Sequence, residues 1–434
     1  MRRRALLASL ALLPLAAPLM SAPEVALAAK IGENTPFPPL TAERISTLPA
    51  AERAGWLEYL KRSDTQKEAD KQALRAERKG LSVIPEDPKG GHDEDSMPLK
   101  QPAAWYASED ARLIEANIIS FQTPAGGWGK NQSRQGPLRQ KGQAFVYGSA
   151  SKYIVKGDFD TPADPNWSYV GTIDNGATTT EIRFLAKVAT ATGEAAPKAA
   201  AIRGLNYLLA AQFPNGGWPQ VWPLQGGYHD GVTLNDDAMI SVIALIGDAA
   251  DGEGDFAFVP ADLRKRLSAA ETAGIDALLK SQVVLNGKPS LWAQQYDALT
   301  LMPASARNFE PPSLSTSESA SVLVFLMKQP KPSPAMRAAI ENGVAMISAL
   351  KIEGKAFVKV SETEGRRLTD KPGSVIWSRY YDPKTLKPVF GDRDRGVYDA
   401  IDDISLERRN GYSWFNNSAQ KAIDAFAKWK AKNG

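Results

Sequence analysis

Apolar and polar positions divide most of the chain into amphipathic segments with helical spacing, and several of these segments end in the same motif. The motif is a glutamine followed by a turn that ends in tryptophan and is usually rich in glycine. It follows the predicted helices over 111–121, 202–211 and 272–281, as Gln122 to Trp128, Gln212 to Trp218 and Gln282 to Trp292. Similar spacing predicts further helices over 179–192 and 237–250.

This repetition predicts the fold class. A helical hairpin cannot bury its apolar face alone, so repeated hairpins stack side by side. We therefore expect a mainly all-α fold, an α/α toroid built as a barrel of helical hairpins, with the loops at the helix ends gathered on one face. Strand-like patterns are scarce and predict only short strands, over 356–360 and 374–378.

The chain divides into three predicted regions. Residues 1–29 combine three arginines, a short proline-bearing apolar stretch and Ala26-Leu27-Ala28, which is typical of a cleaved signal peptide. Residues 30–100 predict a helical extension and linker, with one or two amphipathic helices over 41–79, and residues 101–434 predict the main toroid domain. We expect an exported protein, periplasmic or extracellular, that is not membrane-bound after signal cleavage.

The amino-acid composition excludes several classes of active site and of ligand. The chain has no cysteine, which excludes disulfides and a thiol nucleophile, and only two histidines, which argues against a multi-histidine zinc site. The 52 basic and 49 acidic residues nearly balance, and no basic stripe suggests nucleic-acid binding. Motifs for a serine nucleophile elbow, a P-loop or a dinucleotide site are also missing from the sequence.

Two acidic clusters lie just before predicted helices: residues 172–176, which include Asp174 and Asn175, and residues 235–237, which include Asp236. Asp and Asn often cap helix N-termini, and this interpretation explains each cluster alone. Because helix ends of a toroid share a face, the clusters can also meet. Their oxygens are the ligands that Ca²⁺ takes in sets of about six to eight.

Three arginines lie in loops rich in aromatic residues and proline in the C-terminal part of the chain: Arg307, Arg379 and Arg393. A guanidinium group binds a carboxylate through two parallel hydrogen bonds, so these loops suit an acidic ligand. Pairing with nearby acidic residues of the chain is the alternative. In the same way, Trp128 and Trp218 either pack under their turns or stack on a sugar ring.

Seven motifs, in order, resemble those of the polysaccharide lyase family 10 pectate lyases. The resemblance extends from about Trp105 to Trp414. The motifs lie at 126–131 (GGWGKN), 172–178 (TIDNGAT), 215–220 (NGGWPQ), 228–239 (YH then NDDAM), Arg307, 377–381 (WSRYY) and 391–394 (GDRD).

The resemblance implies a toroidal enzyme that cleaves polygalacturonate by calcium-dependent β-elimination and leaves 4,5-unsaturated oligogalacturonides. It further implies a role for each matching residue. Asp174, Asn175 and Asp236 match calcium ligands, Arg393 the catalytic base, and Arg307 and Arg379 binders of substrate carboxylates. Lys130, His229 and Trp218 lie in matching motifs and are predicted to contact substrate. Two positions depart from the family: Gly129 replaces a usual proline, and Asp392 looks inserted before Arg393.

Two other functions fit the same residues. A glycoside hydrolase on the same toroid would use two carboxylates about 5–9.5 Å apart, and Asp174 and Asp236 could serve. A non-catalytic oligogalacturonate-binding protein would keep the arginines without releasing product. We expect the protein to act as a monomer.

Overall fold

The computed structural model describes residues 30–91, 97–147 and 167–433, so the predicted signal peptide lies outside the described residues. Helices dominate the described chain, and none of them is both long and apolar enough to span a membrane. The helices are α1 (Ala42–Ser46), α2 (Ala50–Arg78), α3 (Glu109–Ser120), α4 (Thr179–Thr192), α5 (Ala195–Ala211), α6 (Ala238–Asp251), α7 (Ala261–Ser281), α8 (Thr316–Met327), α9 (Pro334–Ala349), α10 (Leu406–Asn410) and α11 (Gln420–Asn433).

Consecutive helices pack as pairs, which confirms the predicted mainly α-helical toroid. Helix α4 packs on α5, α6 on α7 and α8 on α9. The second helices of the pairs contact one another in order, and α4 contacts α6 on the inner side. Helix α6 is apolar on nearly all sides because it lies between other helices. Among the described residues, no extensive contact joins α3 to α11, so the pairs do not close into a full ring.

The repeated tryptophans pack under their turns. The indole N–H of Trp128 donates to Ile118 O (2.8 Å), and that of Trp218 donates to Leu208 O (2.8 Å). Trp292 bonds in the same way to a carbonyl of α7 (2.7 Å). All three rings are fully buried, so the packing interpretation is the one that the structure supports.

The repeated glutamines join one helix pair to the next. Gln122 Nε2 donates to Gly126 O in its own turn (2.8 Å) and to Ala200 O in α5 (3.0 Å). Gln212 and Gln282 repeat this arrangement toward α7 and α9. Each glutamine therefore satisfies two backbone carbonyls at a junction between units.

The N-terminal helices pack on the same core, as expected for one or two amphipathic helices over 41–79. The Trp56 ring on α2 lies 5.4 Å from the Phe213 ring, and Tyr59 Oη donates to Ala211 O (3.0 Å). Helix α2 therefore buries its apolar side against the end of α5.

Short strands flank the helices, and one long hairpin, β9 with β10, contains and extends both predicted strands. In the two three-stranded sheets, β13 lies between β1 and β12, and β10 lies between β14 and β9. The strands are β1 (Gly32–Glu33), β2 (Gly171–Thr172), β3 (Val221–Trp222), β4 (Val232–Thr233), β5 (Val284–Leu285), β6 (Lys288–Pro289), β7 (Gln295–Tyr296), β8 (Leu314–Ser315), β9 (Ile352–Ser361), β10 (Gly365–Ser378), β11 (Tyr380–Tyr381), β12 (Phe390–Gly391), β13 (Gly396–Tyr398) and β14 (Phe415–Asn416).

Candidate active site

Two matching turns lead into the inner helices α4 and α6. The 3₁₀ turns Asp174–Gly176 and Asn235–Asp237 contact each other. Asn175 (φ 51°, ψ 33°) and Asp236 (φ 51°, ψ 35°) both have left-handed backbone conformations. Such a conformation costs a non-glycine residue on the order of 1–3 kcal/mol, and such strain clusters at functional sites.

These turns do not act as side-chain caps. Thr178 and Asp237 occupy the N-cap positions of α4 and α6, and neither makes a side-chain capping hydrogen bond. The Asp174 carboxylate instead accepts from the backbone N–H of Asn175 (3.0 Å) and pairs with the Lys130 ammonium. The structure therefore does not support the capping interpretation of these clusters.

A pocket of about 160 Å³ joins the acidic turns to an arginine loop. Five of the predicted site residues line it together: Lys130, Asp174, Asn175, Asp236 and Arg307. The other lining residues are Gln220, Tyr228, Asn235, Gln294, Gln295, Ala306 and Glu310. The pocket therefore has a carboxylate wall and a guanidinium wall.

The carboxylate wall carries unfavourable negative charge. Burial and the nearby Asp174 charge raise the pKa of Asp236, which indicates that the two carboxylates repel each other. Lys130 neutralises part of this charge through its contact with Asp174. A cation placed between the two carboxylates would relieve the repulsion further.

The same wall offers an oxygen set for a metal ion, but a small one. Within the described ranges, no group of three His, Cys, Asp or Glu residues could hold a metal. The Asn175 amide nitrogen donates to Asn131 Oδ1 (3.1 Å), which leaves its amide oxygen directed elsewhere. Asp174, Asp236 and this amide oxygen fit a Ca²⁺ ion as a partial set, because Ca²⁺ takes about six to eight oxygen ligands.

The guanidinium wall is built on a bidentate ion pair. Arg307 Nη2 lies 2.6 Å from Glu310 Oε1, and Arg307 Nε lies 2.8 Å from Glu310 Oε2. Burial lowers the pKa of Arg307, but the Glu310 charge outweighs it and holds the pKa well above its usual range. Tyr412 Oη also donates to Glu310 Oε1 (2.7 Å) and fixes this carboxylate.

Arg379 does not line the pocket but bonds to the second acidic turn. It lies between β10 and β11, where its Nη2 donates to Glu318 Oε1 (2.6 Å) and to Asn235 Oδ1 in the second acidic turn (2.9 Å). Its Nε is buried and has no hydrogen-bond partner among the described residues. The guanidinium group thus retains a donor for a further acceptor.

Arg393 does not line the pocket, whereas Arg307 does. The Arg393 Nε lies 3.2 Å from a Glu407 carboxylate oxygen. Its Cζ lies 5.2 Å from the centroid of the Phe309 ring, and Arg307 Cζ lies 4.7 Å from the same centroid. The two arginines therefore share one aromatic neighbour, and only Arg307 lines the pocket.

Two predicted substrate contacts have other surroundings. Trp218 is fully buried and leaves no ring face for a sugar, which corrects its assignment as a substrate-binding residue. The His229 ring stacks on Tyr228, a pocket residue, with ring centroids 3.8 Å apart. Burial, with the charges of Lys130 and Arg307, lowers the pKa of His229 well below its usual range, so its ring is neutral at pH 7.

The family model described as pectic acid lyase matches residues 122–423, which include both acidic turns and the three predicted arginines. The chain belongs to the pectic acid lyase family. The resemblance to family 10 pectate lyases is confirmed, and the protein is a polysaccharide lyase that acts on pectate.

Two solved structures agree with this assignment. The family 10 polysaccharide lyase from Cellvibrio cellulosa is 31% identical, with a TM-score of 0.64 over 78% of this chain and 98% of that chain. An aspartate-to-alanine mutant of a family 10 lyase from the same organism, in complex with trigalacturonic acid, has the same identity and coverage with a TM-score of 0.63. No curated protein sequence matches the chain.

The two departures from the pectate lyase pattern have local explanations. A Cβ at Gly129 would lie 2.6 Å from Val146 Cβ, so Val146 occupies the space that a proline ring would need. Asp392 is buried, and its Oδ1 accepts from Arg393 N (2.7 Å) and Ser405 Oγ (2.8 Å). The inserted aspartate therefore holds the turn that carries Arg393.

Glu310 and Tyr412 fix Arg307, and Glu318 fixes Arg379. Pairing of Arg307 with nearby Glu310 is the alternative that the sequence left open, and the structure shows this pair. Sequence reasoning missed Tyr412 and Glu318. Tyr412 and Glu318 lie far along the chain from their partners, and no local pattern indicates them.

Proposed function

We propose that this lyase cleaves polygalacturonate by calcium-assisted β-elimination and releases 4,5-unsaturated oligogalacturonides. The observation that carries the proposal is the pocket itself, in which Asp174, Asn175 and Asp236 face Arg307. One wall suits a hard cation and the other suits a carboxylate, so a uronate residue with its cation complements both. The trigalacturonic acid complex of the Cellvibrio cellulosa relative supports this substrate class.

In the proposed reaction, a proton leaves C5 beside the substrate carboxylate and the C4 glycosidic oxygen departs. A bound Ca²⁺ would supply positive charge that neutralises the carboxylate and stabilises the developing enolate. Arg379 and Lys130 add fixed positive charge at the edges of the pocket.

Two arginines are candidates for the catalytic base that removes the C5 proton. Arg393 is the base that the family resemblance implies, and this assignment stays a prediction. The geometry favours Arg307, because it lines the pocket and its side chain is 37% exposed. An arginine accepts a proton only if its pKa falls. The Glu310 charge raises the pKa of Arg307, whereas burial acts in the opposite direction and a bound Ca²⁺ would do so too.

Lysine substitutions separate these assignments. Arg307→Lys keeps the charge but removes the planar group, and kcat should fall at least about a hundredfold if Arg307 transfers the proton. Arg393→Lys should then reduce kcat by less than about tenfold, through the Phe309 packing alone. The opposite ranking would return the base to Arg393.

Product absorbance tests the reaction type. Polygalacturonate treated with the enzyme should gain the ultraviolet band of a conjugated C4–C5 double bond, and EDTA should abolish the gain until Ca²⁺ is restored. New reducing ends without this band would indicate a glycoside hydrolase. Oligogalacturonate binding without either product would indicate a non-catalytic binding protein.

Calorimetry tests the cation independently of activity. Because the protein supplies only a partial oxygen set, we expect weak Ca²⁺ binding alone and at least about tenfold tighter binding with trigalacturonate present. Asp236→Asn should remove this coupling. Tight Ca²⁺ binding without substrate would contradict a site that substrate completes.

The cellular setting is also a proposal. We propose that the protein is exported, with cleavage near Ala28, and works as a monomer on extracellular or periplasmic pectate. N-terminal sequencing of the exported protein and its mass in solution test both points. A retained N-terminus in the cell would contradict export.

A further inference from the structure

Residues 30–35, which we name the N-terminal strap, lie along the C-terminal part of the chain. In the strap, β1 pairs antiparallel with β13, and the backbone N–H of Asn34 donates to Arg395 O (2.7 Å). The strap thus adds a third strand to the β12–β13 hairpin, whose turn carries Arg393.

The next residues of the strap hold the loop that carries Arg307. Asn34 is buried, with 2% exposure, and its Nδ2 donates to Arg307 O (3.1 Å) and Asn308 O (3.0 Å). Ser305 Oγ donates to the backbone carbonyl of Thr35 on the same segment. One short segment therefore bonds to the backbones of both candidate base loops.

The strap lies outside the part of the chain that defines the family. The family match begins at residue 122 and includes Arg307 and Arg393, whereas the strap ends at residue 35. The contact is therefore a feature of this chain that the family assignment does not imply.

We propose that Asn34 is a positioning residue for Arg307. Its amide group holds two successive carbonyls of the Arg307 loop and so sets the distance between the guanidinium group and the acidic turns. The inference rests on the proposed elimination, in which Arg307 works on the uronate. A displacement of about 1 Å in a catalytic group can cost about a hundredfold in rate, so a backbone clamp of this kind affects turnover.

The chain offers a closely matched control in Asn117. Asn117 is also buried, and its Nδ2 donates to two successive carbonyls, Gly136 O (3.0 Å) and Pro137 O (3.1 Å). Like Asn34, it has an amide oxygen that accepts no hydrogen bond among the described residues. Asn117 differs from Asn34 in the loop that it holds. That loop is also anchored by the buried ion pair between Arg134 and Glu181.

The test compares Asn34→Ala with Asn117→Ala in the full chain. Both variants lose two hydrogen bonds, so their free energies of unfolding should fall by similar amounts in denaturant unfolding. On polygalacturonate with Ca²⁺, kcat of Asn34→Ala should fall at least about tenfold while KM stays within about threefold. For Asn117→Ala, kcat should stay within about twofold of the wild type.

Equal kcat losses in the two variants, or an unchanged kcat in Asn34→Ala, would overturn the proposal. If Asn34→Ala does not fold, the nearly isosteric Asn34→Asp keeps the shape, replaces the amide donor with an oxygen, and should show the same loss of kcat. Failure of the proposed function is a different result, since the wild type itself would then release no unsaturated product.

Discussion

Three guanidinium groups surround the buried Phe309 ring beside the pocket. The Cζ atoms of Arg307, Arg393 and Arg408 lie 4.7, 5.2 and 4.2 Å from its centroid. An aromatic face attracts each cation, but like charges this close disfavour protonation of one another. Burial, with the charges of Arg393 and Arg307, lowers the pKa of Arg408 even though Glu407 acts in the opposite direction. The pKa values of Arg307 and Arg408 therefore depend on the glutamate beside each of them.

Glu310→Gln tests this dependence at Arg307. The variant removes the counter-charge and keeps the side-chain volume, so the pKa of Arg307 should fall. If Arg307 is the base, the fraction in the proton-accepting form increases at a given pH, and the limb of kcat/KM that rises with pH moves at least about one pH unit lower. The measurement is the pH profile of initial rates on polygalacturonate.

Glu318→Gln is the matched control, because Glu318 is the buried partner of Arg379. Glu318→Gln should reduce kcat/KM without shifting the rising limb of its pH profile. A shift in Glu318→Gln and none in Glu310→Gln would contradict the base assignment to Arg307.

Site residues that lie in sequence motifs could be predicted from the sequence. Site residues that come into contact only in the folded structure could not. Asp174, Asn175 and Asp236 lie in short motifs at helix starts, so their meeting at one pocket follows from the toroid. Asn34 lies 273 positions from Arg307, and no local pattern relates them. Burial of Trp218 depends on packing from several helices, which periodicity does not resolve.

At the scale of elements, the glutamine and tryptophan of each repeat explain how helix pairs join. Tryptophan closes its own turn, and glutamine reaches the following outer helix, as Gln212 does at Ala270. Trp377 closes on α9 through Ile347 O (2.8 Å) and extends the arrangement to a unit without the glycine turn. The repeat therefore stabilises junctions as well as turns.

Gln212→Ala should destabilise the fold by about 1–3 kcal/mol, because two carbonyls, of Gly216 and Ala270, lose their donor. Denaturant unfolding measures the change. The control is Gln420→Ala, which removes only an exposed bond to Asp424 and should cost less than about 0.5 kcal/mol. Equal costs would show that the glutamine junctions carry no special stability.

A buried aspartate on α2 should lower the free energy of unfolding as pH rises. Asp70 is fully buried on it, and burial raises its pKa to about 7 despite a hydrogen bond from Gln66. The unfolded carboxyl titrates near pH 4, so between about pH 4 and 7 the folded state binds more protons and loses stability with rising pH. The Tm of Asp70→Asn minus that of the wild type should therefore be higher at pH 9 than at pH 5 by about 2 °C or more.

Asp64→Asn provides the comparison for this prediction, because Asp64 is exposed on the same helix. Its Tm difference from the wild type, measured at the same two pH values, gives the baseline for an exposed aspartate on α2. If the difference for Asp70→Asn changes with pH no more than this baseline does, the Asp70 carboxyl does not titrate with folding.

The sequence predicted which segments form helices more accurately than it predicted where those helices begin. The expected helix over 179–192 has the observed bounds, whereas α5 begins seven residues before its predicted start at 202. Its first turns are rich in alanine and contain Pro197, so they carry little contrast between apolar and polar positions. Proline is tolerated there because the first-turn N–H groups have no helical partner.

At the scale of the whole molecule, the N-terminal helices share the core of the toroid. Trp56 and Tyr59 belong to the same buried cluster as Trp218 and Leu323. The sequence predicted a helical extension and linker over 30–100 from its charged amphipathic helices and its polar connector. Charge pattern reports the exposed face of a helix and does not indicate what its apolar face contacts.

We therefore predict one cooperative unfolding transition for the chain. Scanning calorimetry should give a calorimetric enthalpy equal to the van't Hoff enthalpy, and trypsin should not release residues 30–79 from the native protein. A separate early transition with loss of this segment would support an independent extension.

The N-terminal strap has a consequence for the order of events in synthesis. Its residues leave the ribosome before any of the toroid, while the loop that they hold follows 273 positions later. Contacts of such high sequence separation form late, because closing a long loop costs chain entropy before any contact compensates it. A nascent chain thus possesses both acidic turns well before it possesses a correctly placed arginine. If Asn34 positions Arg307 as proposed, full activity on pectate therefore requires contact between residues 30–35 and the loop that carries Arg307.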